Sequence, residues 1–141
     1  MKLAQHYIDG KWTSAVSGAG NIKKGVNPAT NEHAYDYCDG TEAEALAAVA
    51  AARRAFDETN WRNSPRLRAD ILFDFAARME ARKAEIADWL VTVNGKLHRE
   101  AMGEVMGSVS ELKYYAGLAR TQYGRNLEVE PGAFSILDRE A

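Results

Sequence analysis

The first third of the chain combines short apolar runs with turn residues, a pattern typical of β-strands. The motif Y-I-D-G-K-W at residues 7–12 places Asp9 and Gly10 between two short strand-like pairs. Both turn residues tolerate positive φ, which predicts a hairpin with a two-residue turn. The motif S-G-A-G-N at residues 17–21 predicts a surface loop, and the alternation over residues 33–38 predicts another strand.

Helical periodicity begins at Thr41, where T-E-A-E has the form of a capping box. In such a box the Thr41 hydroxyl and the Glu44 carboxylate each accept a hydrogen bond from the other residue's otherwise unpaired amide. A narrow apolar stripe then extends to about Asp57: Ala43, Leu46, Ala47, Val49, Ala50 and Phe56. Such an alanine-rich face predicts a helix that lies close against a sheet.

A second helix is predicted to begin at Ser64 and Pro65, because serine caps a helix and proline suits its first turn. Apolar residues follow at helical spacing: Ile71, Leu72, Phe75, Ala76, Met79, Ile86, Trp89, Leu90 and Val93. A break is predicted near residues 81–83. Gly95, which follows Asn94, predicts the end of this helical stretch, since glycine suits the left-handed C-cap.

A third, long helix is predicted over residues 99–123, closed by Gly124. Its apolar positions are Met102, Val105, Met106, Val109, Leu112, Tyr115, Leu118 and Ala119. Gly103 and Gly107 lie four residues apart on one side, and each costs roughly 1 kcal/mol of helix stability relative to alanine. This cost indicates that the protein benefits from the missing side chains.

The chain then returns to extended structure, with alternating apolar residues on either side of Pro131 and Gly132. This pattern predicts a two-stranded ribbon. Because such a ribbon is only marginally stable alone in water, we expect another part of a longer chain, or another subunit, to complete it.

Composition narrows the class of protein. The length of 141 residues fits one domain, and the 46% hydrophobic and 27% charged fractions are typical of a soluble globular protein. A net charge of -2 gives no electrostatic reason to expect nucleic acid or an anionic membrane as partner. One cysteine, Cys38, rules out an internal disulfide and fits the reducing cytoplasm, where we expect the protein.

Residue spacing alone predicts no catalytic, cofactor or metal site. Cys38 precedes the first helix, but Asp36 and Asp39 flank it and disfavour a thiolate, so a small, partly buried residue is the favoured interpretation. Glu100 and Glu104 share a helix face, where a solvated surface is favoured over acid–base chemistry. The three histidines are isolated and lack metal-ligand spacing: His6, His33 and His98. Neither G-x-G-x-x-G nor G-x-x-x-x-G-K-[ST] occurs.

Several motifs nevertheless occur in a specific order along nearly the whole chain. They are Y-I-D-G-K-W at 7–12, V-N-P-A-T at 26–30, A-x-x-A-A-R-x-A-F at 48–56, W-R at 61–62, S-P-x-x-R-A-x-x-L at 64–72, N-G-K at 94–96, Y-Y-A-G-L-A at 114–119 and P-G-x-x-S at 131–135. In this order the chain resembles the amino-terminal portion of the NAD(P)-dependent aldehyde dehydrogenase superfamily.

The resemblance implies an α/β fold: the first part of a cofactor-binding domain over residues 1–126, with a β-hairpin and three helices, and the first part of an oligomerisation ribbon over residues 127–141. It implies a parent enzyme that uses NAD or NADP to oxidise an aldehyde through a cysteine thiohemiacetal and thioester, as a homo-oligomer. The cysteine, glutamate and asparagine of that chemistry would lie in later segments. Catalytic and cofactor-binding residues are therefore expected to be absent from this chain, and a fragment alone to be inactive with no cofactor bound.

Two features carry over from the family residue by residue. Gly103 and Gly107 match positions on the wall of the substrate tunnel, where glycine would leave room for a bulky aldehyde; close helix packing is the alternative. The family's structural monovalent cation is held by backbone oxygen near Gly25 and Val26 and by a carboxylate, but Val93 occupies the acidic position here.

Two other functions remain open from the sequence. One is a stand-alone helical interaction module that binds a partner through its edge strands and long helix. The other is an independent enzyme that works through Cys38, Glu100 and Glu104.

Overall fold

The computed structural model of the protein describes residues 3–14, 21–121 and 124–138. The described strands are β1 Leu3–Ala4, β2 His6–Ile8, β3 Lys11–Thr13, β4 Asn21–Val26, β5 His33–Asp39, β6 Arg125–Glu130 and β7 Ala133–Leu137. The described helices are α1 Glu42–Glu58, α2 Pro65–Ala81, α3 Lys83–Asn94 and α4 His98–Ala119. Residues 17–20 of the predicted loop, and residues 122–123 of the predicted long helix, lie outside the described ranges, and Asn21 belongs to β4.

The predicted hairpin is formed by β2 and β3, which pair antiparallel. Asp9 and Gly10 at its turn have φ values of 52° and 76°. Positive φ at both central positions gives the turn whose twist matches that of the two strands. Tyr7 lies opposite Trp12 across the hairpin, with 4.9 Å between the ring centroids.

A three-stranded sheet has β5 at its centre, parallel to β1 and antiparallel to β4. The strand predicted at residues 33–38 is thus confirmed, and it extends one residue further. Gly25 on β4 pairs with Tyr35 on β5, and a β-bulge follows between Gly25 and Val26. The Tyr35 ring covers Gly25 so closely that a Cβ there would overlap ring atoms.

Helix α1 begins with the predicted capping box. The Thr41 amide donates to Glu44 Oε2 at 2.8 Å, and the Ala43 amide donates to Thr41 Oγ1 at 3.3 Å. Glu44 is only 5% exposed, so its carboxylate is buried against the cap that it satisfies. The predicted apolar stripe is open to solvent, however, with Leu46 62% and Val49 67% exposed. Packing of this stripe against a sheet therefore stays a prediction.

The start of α2 follows from its sequence. Ser64 Oγ accepts a hydrogen bond from the Leu67 amide at 3.2 Å, and proline occupies the first helical position. The Arg68 guanidinium donates to the backbone carbonyls of Trp61 and Arg62, both at 2.7 Å. These bonds fold the α1–α2 connection back onto the first turn of α2.

Arg82 divides the second predicted helix into α2 and α3. Its amide donates to the carbonyls of Arg78 and Met79 at 3.2 and 3.1 Å, and its ψ of 15° departs from helical geometry. The break predicted near residues 81–83 is confirmed, but it makes four helices in the described chain where we expected three. Helix α3 ends at Gly95, whose φ of 65° confirms the predicted left-handed cap.

Helix α4 is shorter than the predicted residues 99–123. The Arg120 and Thr121 amides donate to carbonyls three residues earlier, at 3.1 and 3.0 Å, and the Thr121 hydroxyl also donates to the Leu118 carbonyl. These bonds tighten the last turn and satisfy carbonyl groups that would otherwise continue the helix. The helix therefore ends at Ala119.

The core lies where α4 packs against α2 and α3. Its buried side chains are small: Ala69, Ala76, Ala87, Ala101, Val105, Val109 and Ala116. Larger, half-buried side chains surround part of this core: Met79, Ile86, Leu90, Val91 and Met102. Lys113 on α4 also donates a hydrogen bond to Glu80 on α2 at 2.9 Å. That bond, together with the positive charge of Lys113, lowers the pKa of the Glu80 carboxyl below its usual value.

The apolar face predicted for each helix is only partly the face that packs. Val105 and Val109 are buried as expected, but Tyr115 on the same helix is 55% exposed. On α2, Ile71 and Phe75 are exposed, although we expected them on the packing face. The physical reason on α2 is that Ala69 and Ala76 are its buried positions, and Ile71 and Phe75 lie on the opposite side of the helix.

The chain ends in the predicted ribbon, in which β6 and β7 pair antiparallel around Pro131 and Gly132. Gly132 has the positive φ, 81°, that its turn position requires. Among the described strands, β6 and β7 pair only with each other. The ribbon begins at Arg125, just before the predicted domain boundary between residues 126 and 127, and the division into two domains stays a prediction.

We predict that Gly25→Ala lowers the free energy of unfolding by about 1–3 kcal/mol, because the added methyl overlaps the Tyr35 ring. Urea unfolding followed by circular dichroism measures the change, with Lys24→Ala, an exposed neighbour on β4, as control. Combining Gly25→Ala with Tyr35→Ala should recover part of the loss. Equal effects in the two backgrounds would contradict the proposed contact.

Candidate functional site

Gly103 and Gly107 lie on the side of α4 that faces away from the helix core. At about 100° per residue they share one side of the helix with Tyr114, opposite Val105 and Val109. A Cβ built at either glycine would meet no described atom within 4 Å, beyond its chain neighbours and the nearby helix backbone. Close packing between described helices therefore does not account for these two glycines.

The loops V-N-P-A and N-G-K meet at one corner of the protein. A Cβ at Gly95 would lie 3.0 Å from the Ala29 amide nitrogen and 3.0 Å from Pro28 Cγ. Asn27 shapes the first loop, since its Oδ1 accepts the Ala29 amide at 2.9 Å and its carbonyl accepts the Asn31 amide at 2.7 Å. The contact places the β4–β5 turn against the end of α3.

Val93 lies at the same end of α3, on the wall of an open cleft of about 500 Å³. The wall is largely aromatic and aliphatic, with Leu3, Trp12, Tyr35 and Trp89 beside Val93. Tyr35 meets Trp89 edge-on, with centroids 6.2 Å apart and ring planes at 87°. The cleft therefore offers aromatic surface rather than a set of charged ligands.

Lys96 fixes the loop between α3 and α4. Its Nζ donates to both carboxylate oxygens of Glu104 at 2.5 Å, and the side chain of Lys96 is half-buried. Glu104 is thus part of a structural ion pair, and Glu100 lies exposed one turn before it. The structure does not assemble the two carboxylates into an acid–base pair. Sequence reasoning missed this ion pair, because the spacing of eight residues crosses a loop and indicates no contact by itself.

Cys38 is buried on β5, with 6% of its surface exposed, and pairs across the sheet with Ile22. No hydrogen bond or ion pair between described residues engages its sulfur. A buried thiol without a base or a cation beside it is a poor nucleophile. The interpretation of Cys38 as a small packed residue agrees with this position.

The connection from β5 to α1 is a strand-to-helix turn, the arrangement in which a helix N-terminus can bind phosphate. Its helix N-terminus is already occupied, because the Glu44 carboxylate accepts the Thr41 amide and hydroxyl. Glu42 and Glu44 add two negative charges in the first turn. An anionic cofactor phosphate is therefore disfavoured at this position.

Comparison with known proteins identifies the family. The model of the aldehyde dehydrogenase family matches residues 12–141. The chain belongs to the aldehyde dehydrogenase family. A 3,6-anhydro-alpha-L-galactose dehydrogenase from Vibrio sp. (strain EJY3) is 34% identical over 125 residues, which are 88% of this chain and 25% of that protein.

Solved aldehyde dehydrogenases share the fold. An NAD-dependent aldehyde dehydrogenase from Sinorhizobium meliloti superposes with a TM-score of 0.84 at 28% identity, over 96% of this chain and 27% of that one. A betaine aldehyde dehydrogenase point mutant from Staphylococcus aureus, in complex with NAD+, gives 0.81 at 26% identity, over 88% and 25%. The α/β fold expected from the resemblance is thus confirmed. The chain spans about a quarter of the length of these relatives.

Within this aldehyde dehydrogenase chain, the residues singled out from the sequence lie on separate elements. Gly103 and Gly107 lie on α4, Val93 and Gly95 at the end of α3, and Cys38 in the sheet. No helix in the described ranges is long and apolar enough to cross a membrane.

We predict that Cys38 reacts at least about tenfold more slowly with a thiol reagent such as DTNB in native buffer than in guanidinium chloride, because reaction requires local opening of the sheet. The absorbance of the released thionitrobenzoate gives both rates, with free cysteine as the control for reagent reactivity. Comparable rates in native buffer and denaturant would show that the thiol is accessible.

Proposed function

We propose that this chain is the amino-terminal portion of an aldehyde dehydrogenase whose complete form oxidises an aldehyde to a carboxylate with NAD or NADP. The observation that supports it most strongly is the family match over residues 12–141, in a chain that spans about a quarter of its relatives' length. A relative solved in complex with NAD+ supports the choice of a nicotinamide cofactor.

The chemistry is that of the family. A cysteine thiolate adds to the aldehyde carbon, and the resulting thiohemiacetal loses hydride to become a thioester. Water, activated by a glutamate, then releases the carboxylate and regenerates the thiol. When bound, NAD(P)+ accepts that hydride. We place the cysteine, the glutamate, the oxyanion asparagine and the cofactor site in segments outside this chain.

This portion contributes structure around the reaction. The core between α4 and its neighbouring helices, together with the Lys96–Glu104 ion pair, holds α4 in a fixed orientation. In our proposal α4 presents Gly103 and Gly107 to the substrate tunnel, because these glycines face away from the core and have open space beyond their Cα atoms. Glycine at both positions leaves room for a bulky or aromatic aldehyde.

The ribbon supports a proposal about assembly. Its exposed apolar side chains are Leu127, Val129, Phe134, Ile136 and Leu137, and β6 and β7 find no third strand in the described ranges. We propose that a later strand and a second subunit complete this ribbon in a homo-oligomer. The same exposed ribbon favours the second candidate function, a stand-alone module that binds a different protein.

Activity of the full-length product of the encoding gene tests the main proposal. We expect aldehyde-dependent reduction of NAD+ or NADP+, followed by absorbance of the reduced nicotinamide, and no turnover by residues 1–141 alone. Cys38→Ala in the full-length protein should retain activity, because the nucleophile lies elsewhere. Turnover by the 141 residues, or its loss in Cys38→Ala, would overturn the assignment and favour an enzyme built on Cys38, Glu100 and Glu104.

Substrate size tests the tunnel wall. Gly107→Leu in the full-length enzyme should raise KM for a bulky aldehyde such as phenylacetaldehyde by about ten- to a hundredfold, and change KM for acetaldehyde far less. Gly107→Ala is the matched control, since alanine and leucine both remove the helical cost of glycine, about 1 kcal/mol, and only leucine fills the space. An equal effect of Gly107→Leu on the KM values of both aldehydes would show that Gly107 does not line the tunnel.

A further inference from the structure

The family resemblance places a structural monovalent cation at the corner where Tyr35 covers Gly25 and lines one cleft with Val93, between the Gly25–Val26 backbone and the position of Val93. Backbone geometry there is irregular, since the β4–β5 register shifts between Gly25 and Val26. Alkali cations require several oxygen ligands, and charged oxygen strengthens their binding. The question is whether the residues present at this corner fit such an ion.

The side chains at this corner do not fit a cation. Val93 supplies two methyl groups where a carboxylate would be needed, and it lies on the same cleft wall as Tyr35 and Trp89. Transfer of an ion from water to such a surface removes hydration without replacing it by oxygen ligands. Among the described residues, no group of three or more His, Cys, Asp or Glu side chains could hold a metal ion.

Nearby carboxylates do not replace the missing ligand. Asp88 and Glu85, also on α3, border a neighbouring cleft with Ala34 and Thr92. Asp88 contacts His98 Nε2 at 3.2 Å, and Glu85 forms a two-bond ion pair with Arg82 at 2.9 Å. Their positions on α3 are about 140° and 80° around the helix from Val93, so neither shares its face.

Apolar contacts instead connect the elements that a cation would connect. The ring of Tyr35 on β5 covers Gly25 on β4, and the same ring meets the edge of Trp89 on α3. Val93 follows Trp89 by one helical turn and lines the same cleft. β4, β5 and α3 are thus joined by one continuous set of ring contacts at this corner.

We propose that this aldehyde dehydrogenase chain has lost the monovalent-cation site and holds the corner between β4, β5 and α3 by packing of Tyr35 on Gly25 and Trp89. Stability of the protein is then independent of which alkali cation is present. This inference rests on the family membership and on the residues described above, and it does not depend on the aldehyde-oxidising activity.

Thermal unfolding of the full-length gene product in NaCl, KCl and choline chloride, at equal ionic strength, tests the proposal. We expect midpoints that agree within about 1 °C, because a ligand that binds the folded state would raise the midpoint with its concentration. A midpoint clearly higher in sodium or potassium than in choline would overturn the proposal. Failure of the enzymatic assay would leave this result unaffected, so the two proposals are tested separately.

Val93→Asp tests the assignment of the missing ligand. We expect its midpoint to fall in choline chloride and to recover by about 2 °C or more in sodium or potassium, as the new carboxylate completes the oxygen ligands. Val93→Asn is the matched control, because asparagine has the shape of aspartate without its charge. Its midpoint should recover much less in sodium or potassium. If Val93→Asp shows no preference for an alkali cation, Val93 is not the cause of the loss and the proposal fails.

Discussion

The close approach of α4 to α2 and α3 is the interaction on which the described helices depend. Alanine and valine side chains occupy the buried positions between them, and the largest fully buried side chains are Val105 and Val109. Small side chains allow the helix backbones to come near each other, and they leave little freedom for α4 to rotate about its axis. The face that carries Gly103 and Gly107 therefore points away from the core as a direct result of which residues pack.

Local signals in the sequence predicted the elements well. Asp9 and Gly10, Thr41 with Glu44, and Gly95 each specify a backbone geometry through their own chemistry, and each does so in the structure. The end of α4 and the packed faces were harder to predict. Thr121 ends the helix through a hydroxyl bond that periodicity does not reveal. Ile71 and Phe75 continue a helical pattern but are exposed, because the buried positions of α2 are Ala69 and Ala76, on the other side of the helix.

The candidate site likewise has parts that the sequence predicted and parts that it did not. The sequence placed Gly103, Gly107 and Val93 on their helices, and the resemblance assigned them roles. The sequence did not predict that Tyr35 covers Gly25, or that Lys96 binds Glu104, because each contact joins residues whose proximity depends on the fold. A glycine opposite an aromatic residue on paired strands is the one signal that could have been recognised, once the register was known.

The single-residue junction at Arg82 has a consequence for how this part of the chain can vary. Because the single residue Arg82 separates Ala81 at the end of α2 from Lys83 at the start of α3, an insertion or deletion of one residue there would change the orientation of α3 relative to α2. Trp89 and Val93 would then leave the cleft, and Ala87 would leave the core. Natural variation in chain length should accordingly be absent at this junction and more frequent in the connection before α2, which is six residues long.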